Sequence, residues 1–211
     1  MRNYLVSGLL GVALAASASA SVSLSAGDQE AVYKAGRCAV KADRAAAVSL
    51  LGSLPVSGGD VNAAALPAKC AAALPPGSAL AMRGAIAQAL FQADIEEFGM
   101  RPKRRVDELA DLDLPIGEGA SADPRTAQLY RLGDCVVRNE MERTPLFLRS
   151  DPGSRMEATF YERMRPTMSA CQTADSSLAV NRGDLRAVLA QSYYSAASRY
   201  YKGQLKHADP R

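Results

Sequence analysis

Four cysteines, two arginines that precede glycines, a run of paired tyrosines and three or more clustered carboxylates are the side chains of this 211-residue chain whose types and spacing could do chemistry. Cys38, Cys70, Cys135 and Cys171 form no C-x-x-C pair, so a redox or zinc motif has no support. An even count of dispersed cysteines reads instead as two disulfides. Arg83 and Arg182 stand before Gly84 and Gly183. Two equivalent guanidinia could clamp an anion. The competing and favoured reading is structural: glycine admits a second helix, and arginine binds carboxylates or helix-end carbonyls. Tyr193, Tyr194, Tyr200 and Tyr201 are half of the eight tyrosines, and their spacing puts both pairs on one helical stripe. They could form a partner or ligand face, although a core or domain-closing contact is the preferred reading.

Asp94, Glu96 and Glu97, and further on Glu140 and Glu142, could do acid–base work on a glycan. Carboxylates on helix faces are more often solvent contacts, so no catalytic residue is assigned. The single histidine, His207, lies close to the end of the sequence, which disfavours a Ser-His-Asp or Cys-His centre and any multi-histidine metal site. No cofactor and no metal are expected, since the remaining carboxylates suit weak Ca²⁺ sites at most. The net charge is only +3. Its one dense basic run, Arg101, Lys103, Arg104 and Arg105, lacks interleaved aromatics and is followed by Asp107, Glu108, Asp111 and Asp113. A solvated, charge-balanced linker explains it better than a nucleic-acid partner.

The compartment is legible at the N-terminus. Arg2, an apolar stretch from Leu5 to Ala16 and the small-x-small triplet Ala18-Ser19-Ala20 have the pattern of a secretory signal peptide over residues 1–20. Its apolar run is short of the ~20 residues needed to span a bilayer, so no membrane span is expected after its removal. The mature chain would begin at Ser21, in the periplasm or outside the cell. Arg outnumbers Lys 19 to 6 among the basic residues, which with 39 alanines suggests a GC-rich bacterial source.

The elements that must position these residues are helical. Alanine is the best helix former, and a chain with three isoleucines and no tryptophan is poorly suited to a large sheet. An all-α fold is expected. An internal repeat organises it. Tyr33, Gly36 and Cys38 recur as Tyr130, Gly133 and Cys135; prolines precede the second cysteines (Pro67 and Pro166); and Arg83-Gly84 recurs as Arg182-Gly183. Two disulfide-stapled three-helix units would span residues 21–98 and 123–211, joined by a linker over 99–122. Symmetry leaves crossed pairings open, but an ancestral unit had only its own cysteines, which selects Cys38–Cys70 and Cys135–Cys171.

In the first unit a helix is expected over 29–51, with Val32, Ala35, Ala39 and Ala42 on one face, then a short one capped by Asp60, then one over 79–98 with Met82, Ile86 and Leu90 inward. In the second, Asp123 and Pro124 should open a helix ending ahead of Pro145. Ser154 and Glu157 form a capping box above a Met156, Phe160, Met164 stripe. The last helix should start at Asp175 or Ser176 and end near Gly203.

The signal, the two Gly-x-Cys helices and the two Arg-Gly helix starts resemble small exported helical proteins of unknown function from alphaproteobacteria. That resemblance implies no activity. The expected function is a non-catalytic helical protein with a partner-binding or structural role in the cell envelope. The alternatives are a small-ligand carrier using the groove between the units, which a lined apolar cavity would favour, and a carboxylate-dependent hydrolase.

Overall fold

A computed structural model describes residues 24–52, 66–71, 74–96, 124–172 and 178–207. The signal-like segment over residues 1–20, the Asp60-capped helix, Asp123, Asp175, Ser176 and the 99–122 linker lie outside them. Among the described residues all regular structure is helical, and the fold is all-α. The first half contributes α1 (Ala26–Ala42), α2 (Arg44–Gly52), α3 (Ala68–Ala71) and α4 (Ala79–Phe91), and α4 continues as a π-helical turn over Gln92–Glu96. The second contributes α5 (Pro124–Asn139), α6 (Arg143–Arg149), α7 (Arg155–Cys171) and α8 (Arg182–His207).

Among the described residues the second half thus has four helices where three were expected, and the first half departs from the three-helix plan in the same place. The predicted helix over 29–51 breaks at Asp43, whose backbone is extended (φ −153°, ψ 94°). Asp43 closes α1 by donating its N–H to Ala39 O and caps α2 by accepting from the Ala46 N–H at 2.9 Å. An aspartate that captures a nearby backbone N–H stabilises a helix start better than a helix interior. α5 ends at Asn139, ahead of Pro145 as expected, and Pro145 itself falls within the next helix. It is the third residue of α6, in the first turn, where a missing N–H costs no intrahelical bond. α1 starts earlier than expected, at a capping box in which the Asp28 N–H donates to Ser25 Oγ at 3.2 Å. The last helix starts at an Asn181 cap, which accepts from the Asp184 N–H at 2.8 Å, and runs on to His207.

α4 and α8 cross at the centre, α1 packs on α4, and α5 packs on α8. Glycines set these approaches. A Cβ on Gly36 would lie 2.7 Å from the Ala85 carbonyl carbon, and one on Gly133 would lie 2.9 Å from Val188 Cβ. At the central crossing a Cβ on Gly84 would lie 2.4 Å from Ala187 Cα. Because the obstacle is backbone, no rotamer change relieves it. Gly84→Ala should therefore destabilise by about 1–3 kcal/mol despite alanine's helix preference. A urea midpoint equal to or above the parent's would show that the helices can separate freely.

Two apolar clusters flank the crossing. One joins Val32, Ala39 and Val40 of α1 to Met82, Ile86 and Leu90 of α4. The other joins Val136, Phe147 and Met164 to Leu185, Leu189 and Tyr193 of α8. Ten consecutive residues of α4, Met82 to Phe91, are buried, so this helix has no solvent face over that span. Two expected core positions face outward: Ala42 is exposed, and Met156 is 61% exposed. α7 instead turns Glu157, Met164 and Met168 inward, with Phe160 half-buried.

Cys38–Cys70 ties α1 to α3, and Cys135–Cys171 ties α5 to the end of α7, with Cα separations of 5.6 and 5.8 Å. No cysteine is free. Such bonds suit an oxidising, extracellular-type environment. No helix among the described residues is long and apolar enough to cross a membrane.

Candidate functional site

The expected arginine pair is not brought together. Arg182 is exposed at the start of α8, while Arg83 is buried in α4. Arg83 instead has a counterpart one turn further along α8, in Arg186. Arg83 donates to the carbonyls of Leu50 (2.7 Å) and Leu51 (3.2 Å) at the end of α2. Arg186 donates to those of Phe147 (3.0 Å) and Leu148 (3.0 Å) at the end of α6. Phe147 and Leu148 follow Tyr130 at the spacing by which Leu50 and Leu51 follow Tyr33. Each guanidinium also crosses to the other half: Arg83 to Gln191 Oε1 and Arg186 to Gln88 Oε1, both at 3.3 Å. Gln88 lies five residues after Arg83, as Gln191 does after Arg186.

The result is a reciprocal polar seam through the α4–α8 crossing. Arg186 is its most heavily engaged member. It further donates to Ser150 O at 2.7 Å, forms an ion pair with Glu157 at 2.8 Å and lies 5.0 Å from the Phe147 ring centre. Glu157, 1% exposed, accepts in addition from the Gly153 N–H at 2.7 Å, so the expected capping box is only half formed. Buried charges survive when every donor and acceptor is matched. These guanidinia hold helix ends, and they offer no open donors to a substrate anion.

Tyr193 is buried edge-to-face against Phe91, with ring centres 4.9 Å apart. Tyr194 touches both apolar clusters and donates to Asp94 Oδ2 at 3.0 Å. Tyr200 and Tyr201 continue α8, and their side chains lie outside the described ones. Burial first, and then the Asp94 carboxylate, push the Tyr194 hydroxyl from 10.0 up to about 12. A hydroxyl whose folded pKa is raised contributes stability that is complete below the unfolded value and lost as pH rises through the folded one. Stability should therefore fall between pH 10 and about 12. Tyr194→Phe should flatten that limb. An unchanged alkaline profile in the variant would contradict the assignment.

The carboxylates are likewise occupied. Asp94 accepts from Arg44 at 2.5 and 3.0 Å as well as from Tyr194. Glu140 accepts from Arg143 at 2.7 Å and Thr167 at 2.5 Å. Glu97 and the side chain of Glu96 lie outside the described residues. Among those residues no group of three or more His, Cys, Asp or Glu is placed to hold a metal. A cavity where α1, α4 and α8 meet has a volume of only ≈ 30 Å³, room for about one water rather than an organic ligand.

One feature open to a partner carries no dense motif in the sequence. A groove of ≈ 720 Å³ runs between α1 and the end of α4, rimmed by Lys34, Arg37, Lys41 and Arg44. Val40, Ala89 and Ala93 supply its apolar floor, and Gln92 of the π turn forms part of its wall. Glu30 pairs with Lys34 at 2.7 Å, which holds the Glu30 carboxyl below its ordinary value. Arg44 is fixed by Asp94, and Arg37 lies 6.0 Å from the Tyr33 ring centre. The signal was the 3, 4 spacing of Lys34, Arg37 and Lys41 along one face of α1, with Arg44 following at the start of α2. It is diluted over eleven residues and carries no dense basic run.

The matching positions on α5 are Arg131, Asp134, Arg138 and Met141, where Asp134 pairs with Arg138 at 3.0 Å. The same helix pairing therefore forms in the second half without a basic rim. Comparisons of the chain with family models, with curated proteins and with solved structures found no match.

Proposed function

We propose that the chain is an exported, non-catalytic binding protein of the cell envelope whose partner engages the basic groove of the first half. One observation carries the reading: the groove's four cations are exposed, and two of them, Arg37 and Lys41, have no carboxylate partner among the described residues, whereas Arg83 and Arg186 are buried and engaged at helix ends. Export is supported by the signal-like N-terminus and by the two disulfides. Mass spectrometry of the periplasmic or secreted chain should find Ser21 at its N-terminus, and an intact Met1 in that fraction would refute cleavage there.

The same reading takes the chain as a tandem duplication, in register through Arg83/Arg186 and Gln88/Gln191 rather than through the Arg-Gly dipeptides. Support comes from the reciprocal contacts across the α4–α8 crossing. A duplicated unit that once paired with a copy of itself would leave this pattern.

The functional test is capture from native envelope extract under non-reducing conditions with the mature chain and an R37Q/K41Q variant. A species retained by the parent and lost from the variant is expected. Equal retention by both would remove the groove from the account.

A further inference from the structure

Resting on the partner-binding reading above, we infer that the groove takes an acidic peptide segment, laid extended along α1 with apolar side chains between its carboxylates. Lys34, Arg37 and Lys41 lie along about 10 Å of α1, and Arg44 stands beyond the Asp43 break at the start of α2. The successive cations of α1 are therefore about 4.5–6 Å apart along its axis, close to the ~6.6 Å between alternate side chains of an extended peptide. Long, flexible Lys and Arg side chains absorb the difference. Arg37 and Lys41 have no carboxylate partner among the described residues, so they supply the charge that a ligand would neutralise. Arg offers the bidentate geometry that a carboxylate matches.

The floor favours the same ligand. Val40, Ala89 and Ala93 are small and apolar, so an occupant's backbone can approach closely and set apolar side chains between the charged ones. Gln92 in the wall and Ala93 in the floor belong to the π turn, a local widening of the helix that recurs at functional sites. Asp134 and Met141 at the matching places in the second half remove two of the cations from an otherwise comparable helix pair. A lipid surface fits less well, because anchoring needs a large apolar face beside the cations. Among the described residues the exposed large hydrophobics are Val48, Leu146 and Met156, and Val48 alone lies on α1 or α2.

The test uses the mature, oxidised chain and a fluorescent peptide of alternating Glu and Leu, with anisotropy read at low salt and again at about 0.15 M. The parent should bind it, R37Q/K41Q should bind at least about tenfold more weakly, and R131Q/R138Q should stay within about twofold of the parent. Equal binding by R37Q/K41Q, or uptake by phosphatidylglycerol vesicles in place of the peptide, would overturn the inference. So would binding that emerges only when Asp107, Glu108, Asp111 and Asp113 are replaced by their amides, since the chain's own acidic segment would then be the occupant. If extract capture depends on the groove but the Glu/Leu peptide fails to bind, the partner-binding reading stands and this ligand class falls.

Discussion

Replacing Arg186 with alanine is expected to lower the unfolding free energy by about 3–5 kcal/mol, the cost typical of breaking one partner out of a buried ion pair. The Glu157 carboxylate, 1% exposed, would lose its cation while remaining too deep to regain water. The carbonyls of Phe147, Leu148 and Ser150 would lose donors in the same step. Arg83→Ala should also destabilise, because the Leu50 and Leu51 carbonyls and Gln191 Oε1 would lose a buried donor. The check is urea unfolding of Arg186→Ala, together with a double substitution of Arg186 to Met and Glu157 to Gln. The double variant should recover part of the loss, because no charge is then stranded. A single variant within about 1 kcal/mol of the parent would mean that the seam is hydrated rather than buried.

Removal of either disulfide is the second large effect. The closed loops of 32 and 36 residues correspond to about 3–4 kcal/mol each in the chain-entropy model. That is a large part of the ~5–15 kcal/mol net stability usual for a domain. The bonds also compensate for a core in which many buried positions are alanine or glycine. Cys38→Ser with Cys70→Ser, and separately Cys135→Ser with Cys171→Ser, should each lower the unfolding free energy by about 2–5 kcal/mol under oxidising conditions. A reduced parent should resemble both changes combined. A peptide map linking Cys38 to Cys135 or Cys171, or a reduced chain as stable as the oxidised one, would contradict this account.

The helical class and the cysteine pairing were legible because composition and spacing act locally. Alanine content sets helix propensity, and the Tyr33-to-Cys38 pattern recurs intact in the second half. The arginine register was not legible in the same way. Arg182-Gly183 copies the Arg83-Gly84 dipeptide, yet helix packing selects what is buried, and at the central crossing Gly84 faces Ala187. Only that contact reveals Arg186 and Gln191 as the counterparts of Arg83 and Gln88.

The break at Asp43 is not legible in the sequence, because its capping bond to Ala46 depends on a chain turn that no local pattern announces. That Pro145 lies inside α6 is equally hidden, because a proline's cost depends on where the helix begins. The basic groove was missed for a further reason: two of its walls come from α1 and α4, which are separated by about forty residues of sequence.

The most direct test of the groove as the binding face is site-specific photo-crosslinking in the native envelope, comparing a probe in place of Lys41 with one in place of Arg138, its counterpart on α5. A discrete adduct from position 41, and none from position 138, is the expected result. Equal adducts from both positions, or an adduct from 138 alone, would contradict it.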